Sequence, residues 1–468
     1  MLDFKPVTQR ELTKLRRYYE NCGYRLCEYS AGVKLMWRER LHPHCAEAAG
    51  CLLICNRIEG APCFDYPVPG PEGDEDAALA ALEDYCVEQG LALRLSVVPE
   101  EKAARLLMRY PQLRVTNLRA WSDYLYEAES LCEFPGRRYS GQRNHVNRFT
   151  RAYPDARFRV LGGGAEDRAA IGRFWEDYAA VFDKEDAGAK RELRYAKRLL
   201  QLAGKPCFCV GGMELDGRLL SLCLAERCGD TLIDHVEKAL YQYDGVYPAT
   251  VQAFARAFAC NGVRWINRED DAANRGLRTS KQQYLPAAMG DKYCFDVDNG
   301  LEALDAIPTL RTKRLTLSAL TEADREAYNA LCLDDARNRW WGYDYRTDWR
   351  GEELSTYFLH VAQEDFRRRL AVNFAVRLDG QCIGEAVLYR FDFRGGAELG
   401  CRIAPEYAGH GYGTEAFAAA ADWALYQLRL RHVVAKCYRE NDASFRMLSS
   451  CMRKSGEDAT FFYFDKIV

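Results

Sequence analysis

Between a short alternating apolar segment, residues 397–404, and an alanine-rich helical stretch lies Gly409-His410-Gly411-Tyr412-Gly413. Glycine at every second position permits positive φ and close backbone approach. A helix N-terminus presents unpaired amides and the positive end of the helix dipole, so a loop of this kind can hold phosphate oxygens without a cationic side chain. The same residues can also make a plain tight turn. Phe417, Ala420, Ala421, Ala424, Leu425 and Leu428 recur at helical spacing and give the following helix one apolar face.

Two other stretches concentrate chemistry. Residues 137–151 hold five arginines in fifteen positions with aromatics between them, and a helix from Ser140 sets Arg143, Asn147 and Arg151 on one face, either toward phosphates or toward solvent. His235, Glu237 and Lys238 end one strand, and Asn267, Glu269, Asp270, Arg278 and Lys281 follow the next. Charges of both signs gathered in this way imply either an ion-paired network or a second site. His42, His44, Cys45, Cys51 and Cys55 fit no usual zinc spacing, and no metal site is expected.

The elements that position these residues recur. In the last third, strands flank an Asp379-Gly380 turn, a strand runs into the glycine loop and helix, and the strand His432 to Tyr438 leads to Asn441. The middle repeats that order around Asp216-Gly217, Thr231 to Glu237, the loop Tyr243 to Pro248 and Val263 to Asn267. A fainter copy covers Gly50 to Val98. The expectation is three related α/β modules, mixed sheets flanked by helices, over residues 1–130, 131–305 and 306–468. Only the third carries the glycine triplet. The middle loop has a single glycine and ends in Pro248, which lacks an amide donor.

Composition agrees with several buried cores: 468 residues, 48% hydrophobic and 12% aromatic. A net charge of −3 gives no overall attraction to nucleic acid or acidic membranes. The charged N-terminus lacks a signal-peptide core, no apolar run approaches the ~20 residues of a membrane span, and the 19 cysteines read as reduced thiols of a cytoplasmic protein.

Residues 310–465 resemble the GNAT N-acetyltransferases, nearest to the branch that acetylates ribosomal-protein N-termini. The resemblance rests on residues 397–407, the glycine loop, Thr414-Glu415-Ala416, and residues 441–444 after the next strand. It implies acetyl-CoA as cofactor. Backbone at Cys401, Arg402 and Ile403 would pair with the pantetheine arm, amides of Gly409, His410, Gly411, Tyr412, Gly413 and Thr414 would hold the pyrophosphate, and Asn441 would reach the arm from the far side. Ala408 stands where the family usually has Gln or Arg, and Leu448 where it often has a tyrosine general acid. Acetyl transfer to an amine needs a base, for which Glu398 and then Glu385 are candidates on strands expected to border the acceptor cleft; each can instead be a carboxylate paired to arginine. Residues 339–345, with two tryptophans, can shape the acceptor pocket or pack as an aromatic loop.

Residues 1–300 resemble a largely uncharacterised bacterial family related to the cytosolic C-terminal domain of phosphatidylglycerol lysyltransferases, on the two charged stretches above with residues 4–8 and 123–126. That resemblance implies tandem GNAT-like (acyl-CoA N-acyltransferase) folds and aminoacyl-tRNA as a possible donor. Three functions follow as expectations: an acetyl-CoA-dependent N-acetyltransferase whose front modules recognise an amine acceptor or a partner, an aminoacyl-tRNA-dependent transferase, and a non-catalytic coenzyme A-binding protein.

Overall fold

Three eight-stranded mixed sheets, each flanked by helices, carry the chain in a computed structural model that describes residues 2–181, 187–259, 262–341 and 344–468. The chain divides into two compact units: one of residues 1–82, 94–104 and 115–295, the other of 83–93, 105–114 and 296–468.

The third sheet lies in the second unit. Its strands run in the order Leu310–Arg311, Leu315–Ala319, Ala371–Leu378, Gln381–Tyr389, Gly396–Ile403, His432–Tyr438, Phe461–Ile467, Arg453–Glu457. Asp379 and Gly380 both adopt positive φ, 49° and 88°, which turns the central hairpin with the twist its strands need. Every neighbouring pair is antiparallel except one: Gly396–Ile403 runs parallel to His432–Tyr438, because the helix Tyr412–Tyr426 crosses over between them. That helix buries Phe417, Ala420, Ala421, Ala424 and Leu425 against Val372, Phe374, Val376 and Leu388 of the sheet, the face its periodicity foretold. Thr321 and Asp324 form a capping box ahead of the helix Arg325–Leu333.

The second sheet repeats this plan in the first unit. Phe208–Leu215, Ser221–Cys228 and Thr231–Ala239 are antiparallel neighbours, and Thr231–Ala239 runs parallel to Trp265–Asn267 across the helix Val246–Phe258. The sixth strand in its order is Asp123–Glu127, which the boundary at 130 assigns to the preceding module. Lys292–Val297, on the middle side of the boundary at 305, joins the first sheet instead. The first sheet also contains Cys51–Ile58, Ala61–Asp65 and Leu93–Pro99, the last two parallel across the helix Glu75–Gln89. No helix among the described residues is long and apolar enough to cross a membrane.

Candidate functional site

Parallel pairing between the two central strands of the third sheet covers only Gly396 with His432, Ala397 with Val433 and Glu398 with Val434. Beyond Glu398 the strands part. The backbone of residues 399–403 keeps its antiparallel bonds to Gln381–Tyr389 but, among the described residues, has no strand on its other edge. A strand edge left open beside a cavity is a place for an extended ligand to add its own hydrogen bonds. The gap is a cavity of about 620 Å³, lined by Leu399, Gly400 and Cys401 on one side and by Ser444, Met447 and Leu448 on the other. Trp340, Trp341, Tyr357, Tyr389 and Tyr438 also line it. Trp341 packs so closely on the bare backbone of Gly400 that a Cβ there would meet the indole at 3.0 Å. Gly342 and Tyr343, within the expected aromatic loop, lie outside the described residues.

The glycine loop follows the open edge in the chain, between Ile403 and the helix Tyr412–Tyr426. Gly409 and Gly411 have φ of 84° and 77°, and Gly411 is the N-cap of the helix Tyr412–Tyr426. The first backbone bond closing that helix runs from the Glu415 amide to the Gly411 carbonyl at 3.1 Å, so the amides of Tyr412, Gly413 and Thr414 precede it. Space over the loop is open: a Cβ on Gly409 would meet nothing within 4 Å, and one on Gly411 only Arg314 Nη2 at 3.5 Å. The comparable glycine of the middle module, Gly245, is covered, since a Cβ there would lie 2.4 Å from the His145 carbonyl oxygen. Arg314 straps the loop from outside. Its guanidinium donates to the His410 carbonyl (2.9 Å) and to Glu415 (2.7 Å) and stacks on the Tyr412 ring at 4.6 Å. A cation thus returns to a loop whose own sequence lacks one at Ala408 and Gly409.

Of the two candidate bases, only Glu398 lines the cavity. It is 8% exposed, accepts from the Tyr389 hydroxyl at 2.7 Å, and lies 3.3 Å from Arg390 and 3.7 Å from Lys436. Burial, then the neighbouring Glu398, pushes the Tyr389 phenol well above its usual range. Glu385 does not border the cleft as expected. It is fully buried beneath the helix Arg325–Leu333, where Arg402 pairs with it at 2.5 Å and Tyr328 donates to it at 2.9 Å. Arg402 sits directly opposite Glu385 in the antiparallel register, which is why the two close on each other. The Arg402 side chain is therefore taken up by Glu385, and its backbone and that of Ile403 lie beyond the parallel pairing to His432–Tyr438. The Cys401 thiol is pushed up to about 12 by burial and by Glu385. Asn441 caps the helix Asp442–Cys451 through the Ser444 amide (3.1 Å).

In the middle module the strands also part after Ile233, but the gap is filled. Arg268 spans it, paired to both oxygens of Glu237 at 2.8 Å and stacked 4.4 Å over Tyr284, and only about 10 Å³ remains beside Asp234. The expected second-site residues divide among several partners. His235 Nδ1 contacts Glu269 at 2.9 Å, Asn267 donates to Asp123 (2.8 Å), Arg278 pairs with Asp271 (2.9 Å), and Lys281 donates to the carbonyls of Arg268, Glu269 and Asp270. Arg143 is elsewhere, donating to the carbonyls of Phe134 and Gly136. Lys238 is partly buried on the same strand. At the centre of this network, unmarked by any local motif, is Lys292, 2% exposed among Asp123 (2.7 Å), Glu28 (2.9 Å) and Cys27 (3.3 Å). Cys27, Glu28 and Asp123 offer three ligand atoms within 4.8 Å of one another, but the Lys292 ammonium already supplies their positive charge.

His235 is the titrating member. Burial works against its charged form, but Glu226, 3.5 Å from Nε2, and Glu269 outweigh it and raise its pKa to about 9. A raised histidine pKa stabilises the fold fully below the unfolded value near 6.5, and the contribution is lost as pH rises through 9. The expected outcome is a fall of about 3 kcal/mol in the stability of the first unit between pH 6 and 10 from this group. Urea titrations at both pH values check it, and His235→Gln should flatten the difference.

Residues 21–295 match the family "Phosphatidylglycerol lysyltransferase, C-terminal", and residues 314–451 match "Acetyltransferase (GNAT) domain". An uncharacterized N-acetyltransferase, YnaD, of Bacillus subtilis (strain 168) is 31% identical over 107 residues, 22% of this chain. The chain spans 61% of that relative's length. A conserved protein of unknown function from Bacteroides thetaiotaomicron VPI-5482 is 24% identical with a TM-score of 0.59, covering 63% of this chain and 99% of its own. A putative ribosomal-protein-serine acetyltransferase from Vibrio cholerae is 20% identical with a TM-score of 0.29, covering 34% of this chain and 98% of its own. With more than half of its length matched by one model, the chain belongs to the phosphatidylglycerol lysyltransferase C-terminal family, and its last third is a GNAT acetyltransferase domain.

Proposed function

We propose that this protein is an acetyl-CoA-dependent N-acetyltransferase whose reaction takes place in the third sheet. The observation that supports it best is the open strand edge after Glu398, continuous with a 620 Å³ cavity and flanked by an uncovered glycine loop at a helix N-terminus. The amides of residues 409–414 would hold the pyrophosphate, and backbone at Cys401, Arg402 and Ile403 the pantetheine arm. Acetyl-CoA, when bound, supplies an activated acetyl thioester. Glu398 would take the proton from the acceptor ammonium, directly or through one water, so that the amine lone pair can form the new C–N bond while the thioester C–S bond breaks and coenzyme A leaves as its thiol. Tyr389, Arg390 and Lys436 hold that carboxylate in place.

The aminoacyl-tRNA alternative puts the chemistry in the middle module. There the equivalent gap is occupied by Arg268 and Glu237, and Gly245 is covered by His145. A role in recognising the acceptor or a partner suits the first two modules better.

Calorimetry with acetyl-CoA and a coupled assay for free thiol test the proposal. Glu398→Gln should lower kcat by about a hundredfold or more while leaving the Kd for acetyl-CoA unchanged, the usual cost of removing a general base. Full activity in that variant removes Glu398 from the mechanism. Tight acetyl-CoA binding with no turnover on any amine leaves the non-catalytic coenzyme A-binding function standing.

A further inference from the structure

The reaction cavity shares one wall with a second cavity of about 420 Å³: Asp365, Arg368, Ala371, Tyr389 and Arg390 line both. Most charges around this wall are already matched. Glu398 has Tyr389, Arg390 and Lys436; Glu364 holds Arg367 through two bonds of 2.8 and 2.6 Å; Glu352 accepts from the Arg350 amide at 2.9 Å. Asp365 and Arg368 stand apart. They lie three residues from each other at the end of the helix Leu354–Arg367, yet among the described residues neither side chain has a hydrogen bond or an ion pair within 4 Å. Burial raises the Asp365 carboxyl to about 6, with Arg368 only partly opposing it.

A carboxyl and a guanidinium that face one space with no direct ion pair between them are two halves of a site for a ligand carrying both signs. Asp365 is half-buried, so its charge is costly unless a cationic partner arrives, while the exposed Arg368 guanidinium presents a planar fork suited to carboxylate or phosphate. We propose that the acceptor is an amine that also bears an anionic group, its ammonium received between Asp365 and Glu398 and its anion by Arg368. A polyamine suits this wall poorly, because Arg368 and Arg390 would repel its further charges. The inference rests on the acetyl-transfer reading and narrows its substrate class.

Matched acceptors test it with the full chain: 5-aminopentanoate against pentylamine, 2-aminoethyl phosphate against ethanolamine, and spermidine as the polyamine. At least one anionic amine should show kcat/KM at least tenfold above its neutral match, and the better of the two identifies the anion as carboxylate or phosphate. Arg368→Gln, at an exposed position, should raise the KM for that amine about tenfold and leave its kcat and the KM of the neutral amine unchanged. Equal kcat/KM within both pairs, preference for spermidine, or equal loss on charged and neutral acceptors in Arg368→Gln overturns the inference. Acetyl-CoA binding in calorimetry with neither anionic amine bound nor acetylated overturns it alone, whereas absence of acetyl-CoA binding overturns the acetyl-transfer reading beneath it as well.

Discussion

Replacing Gly411 by Glu should raise the Kd for acetyl-CoA by more than a hundredfold, while Gly411→Ala raises it less than about tenfold. Both variants pay for a side chain at φ 77°, a strain of about 1–2 kcal/mol that acts on the folded loop whatever it binds. Only the glutamate adds a negative charge where the amides of Tyr412, Gly413 and Thr414 converge. Two like charges about 4 Å apart at the protein surface repel by about 4 kcal/mol at an effective dielectric near 20, which corresponds to about a thousandfold in affinity. Arg314 Nη2, 3.5 Å from the new Cβ, would neutralise part of that charge, so a hundredfold is the appropriate floor. Arg314→Ala combined with Gly411→Glu should then be worse than Gly411→Glu alone. Isothermal titration of acetyl-CoA into the three variants gives the comparison. Equal Kd for alanine and glutamate would mean that the loop is a turn and holds no phosphate.

What could be read from the chain follows from the range over which each interaction acts. The Asp379-Gly380 hairpin, the apolar face of the helix Tyr412–Tyr426 and the strand before the loop are set by residues within a few positions of one another, and all three occur, although the strand Gly396–Ile403 is buried at consecutive positions and not alternately as expected. The glycine loop belongs to the same class, because positive φ and an uncovered helix N-terminus are local properties. The charge partners are not local. Glu385 meets Arg402 only because the register sets them opposite each other, and without that register the same glutamate reads equally well as a base facing the cleft. Arg314 reaches the loop across 96 residues and Lys292 reaches Cys27 across 265. Asp123–Glu127 enters the second sheet from before the boundary at 130 for the same reason: a strand joins whichever edge offers unpaired backbone, and chain order does not decide which edge that is. The likeness of the middle module to the third is also local, in its order of elements, whereas the Arg268–Glu237 pair that fills its gap is tertiary.

The Glu385–Arg402 pair leads to the largest expected effect on stability. Arg402→Met leaves a fully buried carboxylate with the Tyr328 hydroxyl as its remaining donor, and breaking a buried pair from one side costs about 3–5 kcal/mol. Replacing both partners, Glu385→Leu with Arg402→Met, removes the uncompensated charge and should recover most of that loss, since an apolar pair of similar volume is often neutral. Native-state hydrogen exchange on the strands Gln381–Tyr389 and Gly396–Ile403 reads the effect within the second unit without requiring the whole chain to unfold in one step. Arg402 also stacks 4.6 Å from the Trp341 ring and donates to Asn338 at 2.8 Å, so it fixes the indole that lies on Gly400 and lines the cavity. The double variant should therefore regain protection in the strands yet keep a raised KM for the acceptor, because nothing in it restores the cation over Trp341. Recovery of both stability and KM would show that Arg402 serves only to neutralise Glu385. Recovery of neither would place the cost in packing around Cys332, whose sulfur lies 3.1 Å from the guanidinium, and not in the charge.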